Sequence, residues 1–148
     1  MRKLLVVVSA AWIAVTITGV LVSVDRKLPY DLTFLDRAGS IERVGRDWVS
    51  GWGTGLAVPL AVLAAVAIAT MLSTFNDAGG RLGTLLLALL GGLSLGFTAC
   101  QQLTQDRLSG AGLHGLETWL VLASLGLSAL MVLLGLLAFG TFARRWTG

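Results

Sequence analysis

The stretch GTGLAVPLAVLAAVAIATMLS, residues 53–73, decides the fold class because it carries no charged side chain along its whole length. In lipid, helices associate where small side chains let their backbones approach closely. Small residues recur in this stretch at every fourth position: Gly53, Ala57, Ala61, Ala65, Ala69 and Ser73. Such a row drifts around the helix, and two helices that meet along it are predicted to cross in a right-handed sense at about −40°. The stretch therefore predicts a membrane-spanning helix with a packing row along one side.

The composition of the whole chain agrees with a lipid environment. Hydrophobic residues make up 55% of the chain and charged residues 13%, whereas a soluble domain carries about 25% charged residues. The mean hydropathy is +0.83. Residues 4–24, 82–100 and 116–139 form three more apolar runs of about the length that crosses a bilayer.

These runs predict one all-α integral membrane domain over residues 1–148, a bundle of four transmembrane helices. The predicted helices and connections are: helices at about 4–24, 55–75, 82–100 and 115–142, outer loops at 25–54 and 101–114, an inner turn at 76–81 and a cytoplasmic tail at 143–148. Pro59 lies near the start of the second helix, where a proline bends a helix only mildly. The first run is longer than a signal-peptide core and no clear cleavage site follows it, so we expect it to be retained.

Charge at the ends of the first helix orients the chain. Arg2 and Lys3 precede that helix without acids beside them, whereas Asp25, Arg26 and Lys27 mix both signs at its end. We predict a multi-pass plasma-membrane protein with both termini cytoplasmic. The excess of Arg over Lys and the abundance of Ala, Gly and Leu are typical of a GC-rich bacterial genome.

The first outer loop is long enough to carry structure of its own. Phe34, Ile41, Val44 and Trp48 follow a helical spacing with charged residues between them, which predicts an amphipathic helix on the membrane surface. Such a helix is either a cap over the bundle or a docking surface for an extracytoplasmic partner. The charges of the loop balance, so no nucleic-acid partner is expected.

A second row of small residues runs along the third predicted helix: Thr84, Ala88, Gly92, Gly96 and Cys100. The short turn at 76–81 makes the second and third helices antiparallel neighbours. The two rows therefore either pack on each other or face another membrane chain, which would be a different protein or a second copy. Trp12 lies near mid-span, where its indole N–H needs a partner; we interpret it as a packing anchor or, alternatively, as a ligand-stacking ring.

Chemistry-bearing side chains are sparse. No Asp, Lys or Arg lies deep in the apolar runs, which argues against a proton relay, a voltage sensor or a carrier with charged ligands. Cys100, His114 and Glu117 could supply metal ligands at the outer surface, but their spacing matches no strong metal motif, and a solvated histidine is the simpler interpretation. We predict no catalytic residue and no cofactor.

The sequence leaves more than one function open. The first hypothesis is a non-catalytic subunit or assembly factor of a membrane complex, acting through helix packing and the first outer loop. The second is a small transporter or channel subunit for an uncharged or lipid-like solute. Its path would be lined by Ser9, Thr16, Thr18, Ser94, Thr98, Ser124 and Ser128. The third is an interfacial enzyme that uses His114, Glu117 or Cys100.

Overall fold

The structure, a computed structural model, describes the backbone of residues 1–32, 37–108 and 115–144, and the side chains of residues 1–30, 37–102 and 115–141. Within these ranges the chain is mostly α-helical. Its elements are α1 (Arg2–Asp25), β1 (Asp31–Leu32), β2 (Arg37–Ala38), α2 (Val44–Val49), α3 (Leu60–Ser73), α4 (Ala78–Leu108) and α5 (Leu116–Arg144). The two strands form only a short antiparallel ladder, with Asp31 opposite Ala38 and Leu32 opposite Arg37.

Three of the helices are long and apolar enough to cross a membrane: Arg2–Asp25, Ala78–Gln102 and Leu116–Thr141. They identify the chain as a membrane protein, as the apolar runs predict. The remaining apolar helix, α3, has only 14 residues and is about 21 Å long at about 1.5 Å per residue. That length is less than the roughly 30 Å of a bilayer core.

The four longer helices contact one another in a closed ring, in the order α1, α3, α4 and α5. Neighbours in this ring are antiparallel. We call the end that holds the start of α1 and residues 74–77 the basal end. The opposite end, which holds residues 26–32, residues 37–58 and the start of α5, is the distal end. The core runs through the centre of the ring, and its largest side chain is Trp12, which is completely buried.

Burial along the helices follows steps of three and four residues in alternation. On α1 the buried positions include Leu5, Ser9, Trp12, Thr16, Gly19 and Ser23. On α4 they include Gly80, Thr84, Leu87, Gly91, Ser94, Thr98 and Gln101. On α5 they include Val121, Ser124, Ser128, Met131, Gly135 and Ala138. An average step of 3.5 residues is the spacing of left-handed helix packing, whereas the fourth-residue rows in the sequence predict a right-handed crossing.

The helix boundaries differ most from the predicted ones at α3 and α4. α3 begins at Leu60 instead of residue 55, because Pro59 has an extended ψ of 151° and acts as the N-cap residue. The carbonyl of Pro59 accepts the first helical hydrogen bonds, from the N–H groups of Val62 and Leu63. Residues 53–59 precede the helix and are nevertheless all buried.

The third predicted helix is longer than expected, since α4 extends from Ala78 to Leu108. Its start is fixed by Asp77, whose carboxylate accepts hydrogen bonds from the N–H groups of Gly79 at 2.9 Å and Gly80 at 3.3 Å. The pair of glycines thus lies in the first turn of the helix, whereas the sequence places it in the inner turn. The connection between α3 and α4 shortens to residues 74–77.

The first loop also differs from the single amphipathic helix that the spacing predicts. Among the residues that the structure describes between α1 and α3, only the six of α2 are helical, and Val44 is the buried residue among them. Ile41 lies outside any helix and is exposed, and Phe34 lies outside the described residues. Tyr30 instead stacks on Trp52 with 5.6 Å between ring centroids, and the guanidinium of Arg37 lies 5.3 Å from the Trp52 ring.

Candidate functional site

The small residues that the sequence singles out divide between the interior and the surface. Gly53, Ala57, Ala69 and Ala88 are buried, and Ala65 is half-buried. Ala61, Gly92 and Gly96 are exposed, and a Cβ placed on Gly96 would meet nothing within 4 Å. The two rows therefore do not form one continuous contact between α3 and α4. Where they face outward, their role as a contact with another chain stays a prediction.

The glycines that permit close helix contact are different ones. A Cβ on Gly91 would lie 3.0 Å from both the Ser128 carbonyl oxygen and the Met131 Cβ. On α5, a Cβ on Gly135 would lie 2.9 Å from the Thr84 carbonyl oxygen. Sequence reasoning missed both positions, although the seven-residue spacing of Thr84, Gly91 and Thr98 is a signal that could have located this seam.

A hydrogen bond between side chains crosses the interior of the ring. The indole nitrogen of Trp12 on α1 donates to the hydroxyl of Ser128 on α5 over 2.9 Å. The bond satisfies a donor that would otherwise be buried without a partner. It agrees with the interpretation of Trp12 as a packing anchor.

Other hydroxyl groups share this interior. Of the polar residues proposed for a solute path, six are buried: Ser9, Thr16, Ser94, Thr98, Ser124 and Ser128. Thr18 is exposed and donates to the Ala14 carbonyl of its own helix. The hydroxyls of Thr16 and Ser94 are buried and have no hydrogen-bond partner among the described residues. Buried polar groups normally have one, so these two are suited to hold water or a polar solute.

At the distal end, the buried segment 53–59 has an irregular backbone that is held by Thr54. The Thr54 hydroxyl lies 2.9 Å from the Ser23 hydroxyl of α1. It also accepts from the N–H groups of Leu56 at 3.3 Å and Ala57 at 3.0 Å. Gly53 turns the chain into this segment with a φ of +86°, a value that favours glycine.

Side chains from α2 and α4 donate hydrogen bonds to carbonyls of this segment. The amide nitrogen of Gln101 on α4 donates to the Thr54 carbonyl, and that of Gln102 donates to the Gly55 carbonyl over 3.2 Å. The Trp48 indole of α2 donates to the Val58 carbonyl over 3.0 Å. Because backbone polar groups that are buried need hydrogen-bond partners, these contacts help to explain how the segment can be buried within the protein.

The three candidate metal ligands do not form a site in the described part of the chain. Glu117 is bound by Arg26 in an ion pair of 2.6 Å. Cys100 lies on the exposed face of α4, and His114 lies outside the described residues. Among the residues that the structure describes, no group of His, Cys, Asp and Glu could hold a metal ion.

At the basal end, Arg2 joins the start of α1 to the end of α3. Its guanidinium donates to the carbonyls of Ser73, Thr74 and Phe75 and to the Asn76 side chain. A cation at the last carbonyls of a helix satisfies them and is favoured by the helix dipole. A cavity of about 430 Å³ opens beside this contact.

Comparison with protein-family models, with curated proteins and with solved structures finds no match to this chain.

Proposed function

We propose that the chain crosses the plasma membrane four times with both termini in the cytoplasm, and that α3 together with the buried segment before it forms the second crossing. The support comes from the length of α1 that this region runs alongside. Arg2 at the start of α1 contacts Ser73, and Ser23 near its end contacts Thr54. Residues 54–73 therefore run beside almost all of a helix that is itself long enough to cross.

Labelling of single cysteines tests the number of crossings. In a Cys100→Ala background, Lys27→Cys and Ala78→Cys place one thiol at each end of the structure, at exposed positions. Four crossings require that a membrane-impermeant maleimide added to intact cells labels only the Lys27→Cys protein. Labelling of both thiols from the same side would disprove the second crossing.

The protein acts as a non-catalytic subunit or assembly factor of a membrane complex. The observation that supports this function best is an exposed face of α4 on which small residues lie beside leucines. It consists of Leu89, Gly92, Leu93, Gly96 and Cys100. Small residues gain little from contact with lipid chains but allow the backbone of another helix to approach closely. The first outer loop supplies the second contact surface.

A pair of glycine variants tests this function. Gly96→Leu adds bulk to the α4 face, and Gly126→Leu adds the same bulk on α5 at another exposed glycine with nothing within 4 Å of a Cβ. We expect the wild type, purified in mild detergent, to carry a second chain, Gly96→Leu to lose it and Gly126→Leu to keep it. Native mass spectrometry and crosslinking through Cys100 show whether the second chain is bound in the wild type and in each variant. A wild-type protein that is monomeric and brings no other chain would refute the function.

One observation favours a small transporter or channel subunit for an uncharged solute as a second candidate. The buried Thr16 and Ser94 hydroxyls lack partners among the described residues, and they lie among the helices that form the ring. If they line a path, Thr16→Val with Ser94→Ala should reduce solute flux into liposomes, whereas Thr18→Val on the exposed face should not. Unchanged flux in the double variant would remove this candidate.

A further inference from the structure

The cavity at the basal end lies between the start of α1 and the end of α3. It is lined by Arg2, Lys3, Val6, Ser73, Thr74 and Asn76. Its volume of about 430 Å³ falls within the roughly 300–1,000 Å³ of small-molecule sites. The lining combines the apolar side chain of Val6 with basic, amide and hydroxyl residues, so the cavity suits a ligand with an apolar part and a negative part.

Arg2 gives this cavity a fixed positive charge. Its hydrogen bonds to the Ser73 carbonyl, at 3.1 and 3.3 Å, and to the Thr74 carbonyl, at 3.2 Å, hold the guanidinium in place. A further bond of 3.0 Å goes to the side-chain oxygen of Asn76. That bond leaves the Asn76 amide nitrogen available as a donor to a ligand.

Lys3 supplies the charge that the protein itself does not use. It is exposed at the cavity and has no hydrogen-bond or ion-pair partner among the described residues. No acidic side chain is among the described residues that line the cavity. Asp77, which follows Asn76 in the sequence, is not part of the lining; its carboxylate accepts hydrogen bonds from the N–H groups of Gly79 and Gly80 at the start of α4.

The position of the cavity along α1 decides which anion fits. Val6 forms part of the wall, and the adjacent Leu4 and Val7 expose apolar side chains outward. A ligand bound here therefore meets charge at the end of the helix and apolar surface one turn further into it. Basic pockets between transmembrane helices have this arrangement where they bind anionic lipid headgroups.

We infer that this cavity is a binding site for an anionic phospholipid of the leaflet at the basal end. The lipid phosphate contacts Lys3 and the Asn76 amide, and the first part of an acyl chain lies against Val6. The inference depends on the membrane placement of α1 but not on the proposed contacts with other chains. Loss of lipid binding and loss of a co-purifying chain are separate measurements, so either proposal can fail alone.

Binding of phosphatidylglycerol to the purified full-length protein, measured by native mass spectrometry against phosphatidylcholine, tests the charged half of the site. We expect Lys3→Gln to bind phosphatidylglycerol about fivefold more weakly, as loss of one basic residue near an anionic surface implies. Lys27→Gln removes an exposed lysine from the distal end and should bind like the wild type. Equal binding of the two lipids, or equal loss in both variants, would overturn the inference.

A second pair of variants tests the apolar half while keeping every charge. Val6→Phe should fill part of the cavity and weaken phosphatidylglycerol binding. Val7→Phe replaces an exposed side chain and should leave that binding unchanged. The unfolding temperature of each variant shows whether the fold is kept. Inorganic phosphate serves as a competitor: full displacement of the lipid by millimolar phosphate would mean that the site binds a free anion instead.

Discussion

The indole nitrogen of Trp12 and the hydroxyl oxygen of Ser128 lie 2.9 Å apart inside the ring of helices, and both side chains are completely buried. This bond joins α1 to α5, two helices that are far apart in sequence. Because hydrocarbon and packed side chains offer few other acceptors, the indole depends on this one hydroxyl.

Ser128→Ala should therefore destabilise the protein. Interhelical hydrogen bonds in membranes contribute about 0.6 kcal/mol on average and up to about 1.7 kcal/mol, and full burial places this bond toward the upper value. Detergent-induced unfolding of the purified protein measures the change in free energy. A double-mutant cycle with Trp12→Phe should show that the two substitutions are not additive.

Thr18→Ala is the control for this hydroxyl, because Thr18 is exposed and bonds only to its own helix. It should change the free energy of unfolding much less than Ser128→Ala does. Equal effects of the two variants, or strict additivity in the cycle, would contradict the assigned role of the bond.

Gly91→Ala and Gly135→Ala should each cost about 1–3 kcal/mol, the range typical of overpacking. The reason is steric: either Cβ would press against the opposing helix at about 3.0 Å or less. Gly96→Ala introduces the same group into open space and should be neutral or slightly stabilising for the isolated chain. Thermal unfolding in detergent ranks the three variants, and a larger loss at Gly96 than at Gly91 would contradict the observed packing.

Thr54→Val tests the irregular segment before α3. Valine keeps the shape of threonine but leaves the N–H groups of Leu56 and Ala57 without their side-chain acceptor, so we expect a loss of about 1–3 kcal/mol. Thr54→Ser keeps the hydroxyl and should retain most of the stability. Protease digestion within residues 50–60 should become faster in Thr54→Val alone; identical digestion of the two variants would rule out the hydroxyl as the support of this segment.

Glu117→Gln should have little effect. The ion pair with Arg26 is short, at 2.6 Å, and the Glu117 side chain is only 14% exposed, but the Arg26 side chain is 47% exposed. Because solvent reaches one partner, we expect the pair to contribute about 1 kcal/mol. Raising the salt concentration should reduce even that difference. A loss well above this value would show that Glu117 has a partner beyond Arg26.

The sequence predicts the long apolar helices well, since length and the absence of charge are sufficient to locate α1, α4 and α5. It locates their contacting faces poorly. In a chain rich in Gly and Ala, small residues occur at fourth-residue spacing by chance. Gly91 is buried and its neighbour Gly92 is exposed, and only the alternation of three- and four-residue steps along α4 indicates which of the two faces the interior. Pro59 was similarly ambiguous, because a proline near a helix start is compatible with a helix beginning on either side of it.

The polar contacts at the ends could not be read from the sequence for a different reason. Gln101 and Thr54 are 47 residues apart, and neither belongs to a recognisable motif. Their association depends first on the pairing of α3 with α4, which the short connection between the two helices predicts. It also depends on the non-helical backbone of residues 53–59, which none of the sequence patterns predicts. The fold class was thus accessible from composition, whereas the bonding of the buried segment required the structure.

The proposed second crossing implies an order in biogenesis. The carbonyls of Thr54 and Gly55 receive hydrogen bonds from Gln101 and Gln102, which are synthesised later. If residues 53–73 entered the bilayer before those residues emerged from the ribosome, the two carbonyls would lie in hydrocarbon without partners, which is costly. Insertion of residues 53–73 together with α4, as a helical pair, would avoid that cost.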